Sequence, residues 1–140
     1  MTVHNITFEG YKPDVQKDEL PEYNGVYIVY RGKFVFSTPI LREILYIGKA
    51  DDQTIRERLA NHEKQRLFVN NCRFGEQVIY SYAMVDRRSL DAVENALVYI
   101  QKPKLNTDLK DEYLHDDAEF HFTGKCALLK NTDFVLPLAE

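Results

Sequence analysis

The stretch that most constrains this chain is Gln77 to Val85, which is apolar on both of its alternating faces. Val78, Tyr80, Tyr82 and Met84 fall on one face, and Ile79, Ala83 and Val85 on the other. Side chains along a strand alternate with a period of two, so this pattern predicts a strand covered on both sides. Such a strand needs layers of chain above and below it. The 140 residues are enough for one domain with one core, and too few for two comfortable ones.

Around that strand the chain reads in order. Residues 1–24 carry Gly10, Pro13 and Pro21 as breakers and read as an irregular lead-in, with one edge strand near Ile6-Thr7-Phe8. Gly25 to Tyr30 is rich in Val, Ile and Tyr and reads as a strand. Arg31-Gly32-Lys33 reads as a turn, Phe34-Val35-Phe36 as the return of a hairpin ended by Pro39, and Ile44 to Gly48 as the next strand. Thr54 with Glu57 three residues on fits a capping box, opening an amphipathic helix to about Phe68. Ser89 reads as the N-cap of a second helix, in which Val93, Leu97 and Ile100 share a face until Pro103 stops it. Glu119 to Leu129 and Phe134 to Leu138 read as short strands around a turn at Asn131-Thr132-Asp133. The expected fold is α+β: a small, mainly antiparallel sheet flanked by helices, with additional C-terminal strands. No repeat or flexible linker divides the chain, so 1–140 reads as a single domain.

Charge is uneven. The net charge is -4, which taken whole argues against a nucleic-acid partner. Residues 42–104, however, hold 11 Lys or Arg against 9 Asp or Glu, whereas 105–140 hold 3 against 8. The acidity belongs to the C-terminal extension, 107–140, where Asp108, Asp111, Glu112, Asp116, Asp117 and Glu119 crowd together. No segment approaches the roughly 20 apolar residues that span a bilayer. The N-terminus lacks the plan of a secretory signal, so a cytoplasmic protein with no membrane partner is expected. Cys72 and Cys126 read as two thiols.

Several residues carry chemistry. Arg58 and His62 are four apart in a predicted helix and share a face; a guanidinium fork and an imidazole there suit a phosphate. The ordinary alternative is a solvated helix face. Glu94, at the rim of the second helix's apolar stripe, offers the single carboxylate that can hold one hydrated Mg²⁺ (or Mn²⁺), or is a plain surface glutamate. Tyr27 and Tyr46 lie in strands, where packing alone would explain them. Gly48 marks close backbone approach by a ligand or another segment. Lys49 beside it is a mobile cation, able to bind phosphate or to lower the pKa of a nearby tyrosine. Asn106, after Pro103, is either a turn former or a bond across the site. His115, His121 and Cys126 lack zinc spacing.

In order and spacing these residues resemble the GIY-YIG nuclease superfamily. Gly25-Val26-Tyr27 and Tyr46-Ile47-Gly48 stand for the two halves of its name, Arg58-Leu59 with His62 for its Arg-Leu-x-x-His, and Glu94 with Pro103 and Asn106 for its closing segment. The resemblance covers residues 25–106, the expected catalytic core. Tyr27 to Tyr46 is 19 residues, longer than in many members. Arg56 sits at the more usual spacing from Tyr46 and stays an alternative to Arg58, which alone keeps the following Leu and the His. The resemblance implies a Mg²⁺- or Mn²⁺-dependent endonuclease hydrolysing DNA phosphodiester bonds. Tyr27 or Tyr46 would accept a proton from water, Lys49 would help ionise the tyrosine, Arg58 would bind phosphate, His62 would orient the tyrosine or water, Glu94 would hold the metal, and Asn106 would give support. Two rivals stand beside it: a non-cleaving nucleic-acid or protein-binding module of the same fold, and a nuclease subunit of a larger complex. Homodimer or larger assembly is left open, as is DNA against RNA.

Overall fold

The computed structural model describes residues 1–138. Its centre is one curled six-stranded mixed sheet, in the order β3-β2-β4-β1-β5-β6. The strands are β1 (Thr2–Pro13), β2 (Gly25–Val35), β3 (Thr38–Ala50), β4 (Gln77–Met84), β5 (Ala118–Gly124) and β6 (Asp133–Leu136). Among the described residues three α-helices accompany them: α1 (Ile55–Ala60), α2 (Gln65–Asn71) and α3 (Arg87–Gln101), with a 3-10 helix at Asp14–Glu19.

This overturns the expected small antiparallel sheet flanked by helices. The cause lies first in the lead-in. β1 is an inner strand, antiparallel to β4 on one side and parallel to β5 on the other. Gly10 does not break it, because the register shifts between Gly10 and Lys12 and absorbs the irregularity as a bulge. Through β1 the C-terminal strands join the same sheet as residues 25–106, and Phe8, Phe120, Phe122 and Phe134 pack in one cluster.

The hairpin also runs longer than expected. Arg31-Gly32-Lys33 lies inside β2, and the turn falls at Phe36-Ser37. Arg31 tolerates this buried place because its guanidinium binds Glu43 at 2.9 Å and Glu76 at 2.7 Å. A Cβ on Gly32 would stand 2.4 Å from the Ile40 carbonyl oxygen, so close strand contact needs glycine here. Pro39 is accommodated within β3 because β3 is the edge of the sheet.

The helical expectations divide. The Thr54 capping box is present in both directions: Glu57 N–H donates to Thr54 Oγ1, and Thr54 N–H to Glu57 Oε1. The helix then stops at Asn61, and a separate α2 follows, in place of one helix to Phe68. α3 begins at the N-cap Asp86, not at Ser89, because the Asp86 carboxylate accepts the Arg88 N–H. Val93 and Leu97 are buried as expected.

Both sheet faces are covered. Val26, Ile28, Tyr30, Ile79, Ala83 and Val85 pack with α3; Tyr27, Val29, Val78, Tyr80 and Tyr82 pack with Ile55 and Leu59 of α1 and Phe68 of α2. β4 is therefore apolar on both faces because each faces a core. Met84, at its end, is exposed. No helix among the described residues is long and apolar enough to cross a membrane.

Candidate active site

The edge position of β3 creates the site, because side chains from both faces can meet there. An extra residue, Leu45, separates Tyr46 (opposite Val29) from Ile44 (opposite Tyr30). The bulge turns Leu45 and Tyr46 together toward the core that holds α1 and α2. Lys49, opposite Val26, is on the α3 side, where it meets Asp91 and Glu94. Tyr27, Tyr46, Lys49, Arg58 and Glu94, with Asp51, Asp52 and Gln53, line a cavity of about 270 Å³.

Gly48 lies directly opposite Tyr27. A Cβ there would stand 2.5 Å from Tyr27 Oη, 2.7 Å from its Cζ and 2.8 Å from Tyr46 Cε2. The tyrosine ring crosses the glycine, so the close neighbour is part of the chain itself. Gly48→Ala should destabilise the fold by about 1–3 kcal/mol through overpacking and displace Tyr27 from His62. Denaturant midpoints at constant slope measure the first effect; an unchanged midpoint would show that the rings move aside freely.

His62 explains why α1 is short. Its ring turns inward against Tyr27, Tyr46 and Phe68. Nδ1 accepts the Lys64 N–H at 3.0 Å, so in the neutral ring the proton is on Nε2, which donates to Tyr27 Oη at 2.8 Å. The Tyr27 proton is thereby left to point elsewhere. Burial, followed by the positive charge of Arg58, lowers the His62 pKa to about 4, so the ring is neutral at pH 7.

Both tyrosines are harder to ionise than a free one. Burial pushes Tyr27 well above the ordinary value, with Arg58 pulling it back in part. Burial also raises Tyr46, with Glu94 adding to it and Arg58 opposing, to about 12. The cation that helps ionise them is thus Arg58, not Lys49. Burial lowers the Lys49 pKa, but the ion pair with Asp91 and the charge of Glu94 outweigh it, and the net shift is upward.

Arg58 and Arg56 separate clearly. Arg58 lines the cavity and is gripped by both oxygens of Glu63, at 2.7 and 2.8 Å. That fork holds the Glu63 carboxyl down at about 2. Arg56 turns to the N-terminal segment, donating to the Leu20 carbonyl at 2.7 Å and Glu22 at 2.6 Å. Asn106 clamps the open edge of β3: its Oδ1 accepts the Ile47 N–H at 3.0 Å and its Nδ2 donates to the Ile47 carbonyl at 2.8 Å. It fixes the loop after α3 beside Tyr46 and Gly48 without facing the cavity.

Glu94 is mostly buried, its side chain 13% exposed, with Lys49 Nζ 3.8 Å away. Burial raises its pKa to about 7; Lys49 opposes this, and Asp108 and Asp91 add to it. A buried carboxylate with too little positive charge around it is a fitting ligand for one cation that keeps its waters and takes further oxygens from a phosphate. Among the described residues no group of three or more His, Cys, Asp or Glu stands at metal-holding distance. His115, His121 and Cys126 are used separately: His121 between Glu119 and Asp133, His115 against Tyr113, and the buried Cys126 thiol near the Gly124 carbonyl.

Sequence reasoning gave Glu63, Asp91 and Lys64 no part in the site, and Asp108 only as one member of the acidic extension. Asp91 had a signal, three residues before Glu94 on one helix and so on the same face. Glu63 had none beyond adjacency to His62. No protein family, curated protein or solved structure matches the chain.

Proposed function

We propose that the chain hydrolyses phosphodiester bonds of DNA in the manner of the GIY-YIG nucleases it resembles, with Mg²⁺ or Mn²⁺. The supporting observation is the convergence of Tyr27, Tyr46, Arg58 and Glu94 on one cavity, from two strands and two helices. The six-stranded mixed sheet lends the reading no support, so it rests on this cluster and on the motif order.

Each residue has a part. Arg58 binds the scissile phosphate, exchanging one or both Glu63 oxygens for phosphate oxygens, since both present the same fork geometry. Tyr46 first loses its own proton to solvent, an ionisation that Arg58 favours, and the phenolate then accepts the proton of the attacking water. Its pKa is less extreme than that of Tyr27, and among the described residues its hydroxyl has no hydrogen-bond partner. Tyr27, held by His62 Nε2–H, directs its own O–H toward water or phosphate. Lys49 sits beside Glu94 and keeps its carboxylate partly compensated. Glu94 would hold the divalent cation, which when bound supplies positive charge to the phosphate and the departing oxygen. Water adds to phosphorus as the bond to the 3′-oxygen breaks and that oxygen takes a proton from solvent, leaving a 5′-phosphate and a 3′-hydroxyl.

The test is end-group analysis of labelled DNA cut by the wild type and by Tyr46→Phe and Tyr27→Phe. Wild type should give 5′-phosphate ends in Mg²⁺ and none in chelator. Tyr46→Phe should lose more rate than Tyr27→Phe. A 3′-phosphate product, or the reverse ranking, would contradict these assignments.

A further inference from the structure

Two hollows meet at Arg42, which lines both. One, of about 370 Å³, also holds Lys102, Lys104 and Lys130; the other, of about 400 Å³, holds Lys33 and Arg73. With Arg31 they bring seven cations together against two carboxylates, Glu43 and Glu76. Both carboxylates are already bound by Arg31, at 2.9 and 2.7 Å. A chain of net charge -4 thus gathers a strongly positive stripe on one surface. Such a stripe is an electrostatic footprint for a polyanion.

Two aromatic rings are free of packing: one lines a hollow, the other sits on the hairpin that carries Lys33. Phe74 lines the second hollow and Phe36 tips the β2–β3 hairpin; both are fully exposed. Phe36 has φ 58, a left-handed conformation unfavourable for a bulky side chain. A two-residue hairpin turn itself calls for this conformation, so the backbone serves the fold and the exposed ring alone is available for a contact. Cations that track a backbone, interleaved with rings that accept base faces, are what a single strand requires. A duplex hides its base faces and cannot use the rings.

The stripe and the cavity described above share no lining residue but lie along the same strand, with Arg42 near one end of β3 and Tyr46 and Lys49 near the other. Lys104 stands two residues before Asn106, and Leu105 N–H donates to the Leu45 carbonyl at 2.9 Å, next to Tyr46. Lys64 bridges the two places, with Nζ 5.6 Å from the Tyr46 ring centre and 3.4 Å from the Leu105 carbonyl oxygen.

We propose that this stripe binds a single-stranded nucleic-acid segment, its phosphates along Lys130, Lys102, Lys104 and Arg42 and its bases stacked on Phe74 and Phe36, and delivers the strand to the Tyr46–Arg58 cavity. The delivery step rests on the nuclease reading; the binding does not. The substrate class is therefore nucleic acid with an unpaired stretch, such as a free strand, flap or branch. An anionic membrane would also attract cations and rings, but the cations here line hollows, which suits a threaded strand better than a flat lipid surface.

Fluorescence anisotropy in chelator separates binding from cutting. The probes are a labelled single-stranded DNA of roughly 12 nucleotides, the same sequence as a duplex, and vesicles of phosphatidylcholine with phosphatidylserine. Wild type should bind the single strand at least tenfold more tightly than the duplex. Phe74→Ala combined with Phe36→Ala should lose about fivefold or more for the single strand and change duplex binding little. These positions are fully exposed, so the fold is not at risk. Arg42→Gln combined with Lys102→Gln should weaken single-strand binding and flatten its salt dependence. Equal affinity for duplex and single strand, no loss in the phenylalanine variant, or binding to vesicles in place of oligonucleotides would each overturn the proposal. Single-strand binding without any cleavage in Mg²⁺ would remove the nuclease reading and leave the stripe standing. Cleavage that needs Glu94 but ignores all four substitutions would do the reverse.

Discussion

Glu94→Gln should abolish cleavage and, at pH 8, make the protein more stable. The two effects have one cause. The carboxyl is buried where its charged form is costly, and its pKa rises from 4.5 to about 7. The folded state then binds the proton more tightly than the unfolded state. The stabilisation from this is complete below pH 4.5 and is lost as pH rises through about 7. At pH 8 the ionised Glu94 is a burden that glutamine does not carry. Each tenfold change in proton affinity is worth about 1.4 kcal/mol, which sets an upper limit of about 3–4 kcal/mol. Lys49 loses a neighbour in the variant but keeps Asp91. A melting temperature several degrees above wild type at pH 8, converging with wild type by pH 5, is the expected record. A variant that is less stable at pH 8 would place the carboxylate in a satisfied structural ion pair instead.

Arg58→Ala should lower the cleavage rate by about 100-fold or more, as loss of one charge-stabilising group in such a reaction does. Arg58 lines the cavity and is the cation that opposes the rise of both tyrosines. Arg56→Ala should leave the rate within a few-fold of wild type and act on stability, since its bonds are to Leu20 and Glu22. Single-turnover rates on the same oligonucleotide compare the two. The opposite ranking would show that the phosphate approaches from the other side of α1.

Motif order named residues that line one cavity, whereas element reading missed the organisation of the sheet. Tyr27, Tyr46, Lys49, Arg58 and Glu94 line one cavity, and Asn106 and His62 brace it from behind. Local chemistry was legible where it is decided by neighbours in sequence: the Thr54 box, the two-faced β4, the glycine at 48. The sheet was not, because its organisation depends on pairs far apart. β1 looked broken by Gly10 and Pro13, yet its partner β5 lies more than a hundred residues later and holds it in line. Arg31 looked like a turn residue until Glu43 and Glu76 were brought to it. α1 and α2 looked like one helix because nothing local announces that His62 turns inward to a tyrosine from another element. Lys49 was read as a partner for a phosphate or a nearby tyrosine, whereas strand alternation puts it on the face opposite Tyr27, with Glu94. The acidic extension has a similar history: Asp108 faces Glu94 and Tyr46, and their pKa values rise in its presence.

The most direct measurement of the central claim is incubation of supercoiled plasmid and of a branched DNA carrying an unpaired arm, in Mg²⁺, in Mn²⁺ and in chelator. Wild type should cut one or both in the presence of either metal and neither in chelator, and Glu94→Gln with an intact circular dichroism spectrum should cut nothing. Intact DNA under every condition, or cutting by Glu94→Gln at the wild-type rate, would contradict the assignment of this cavity as a metal-assisted phosphodiesterase centre.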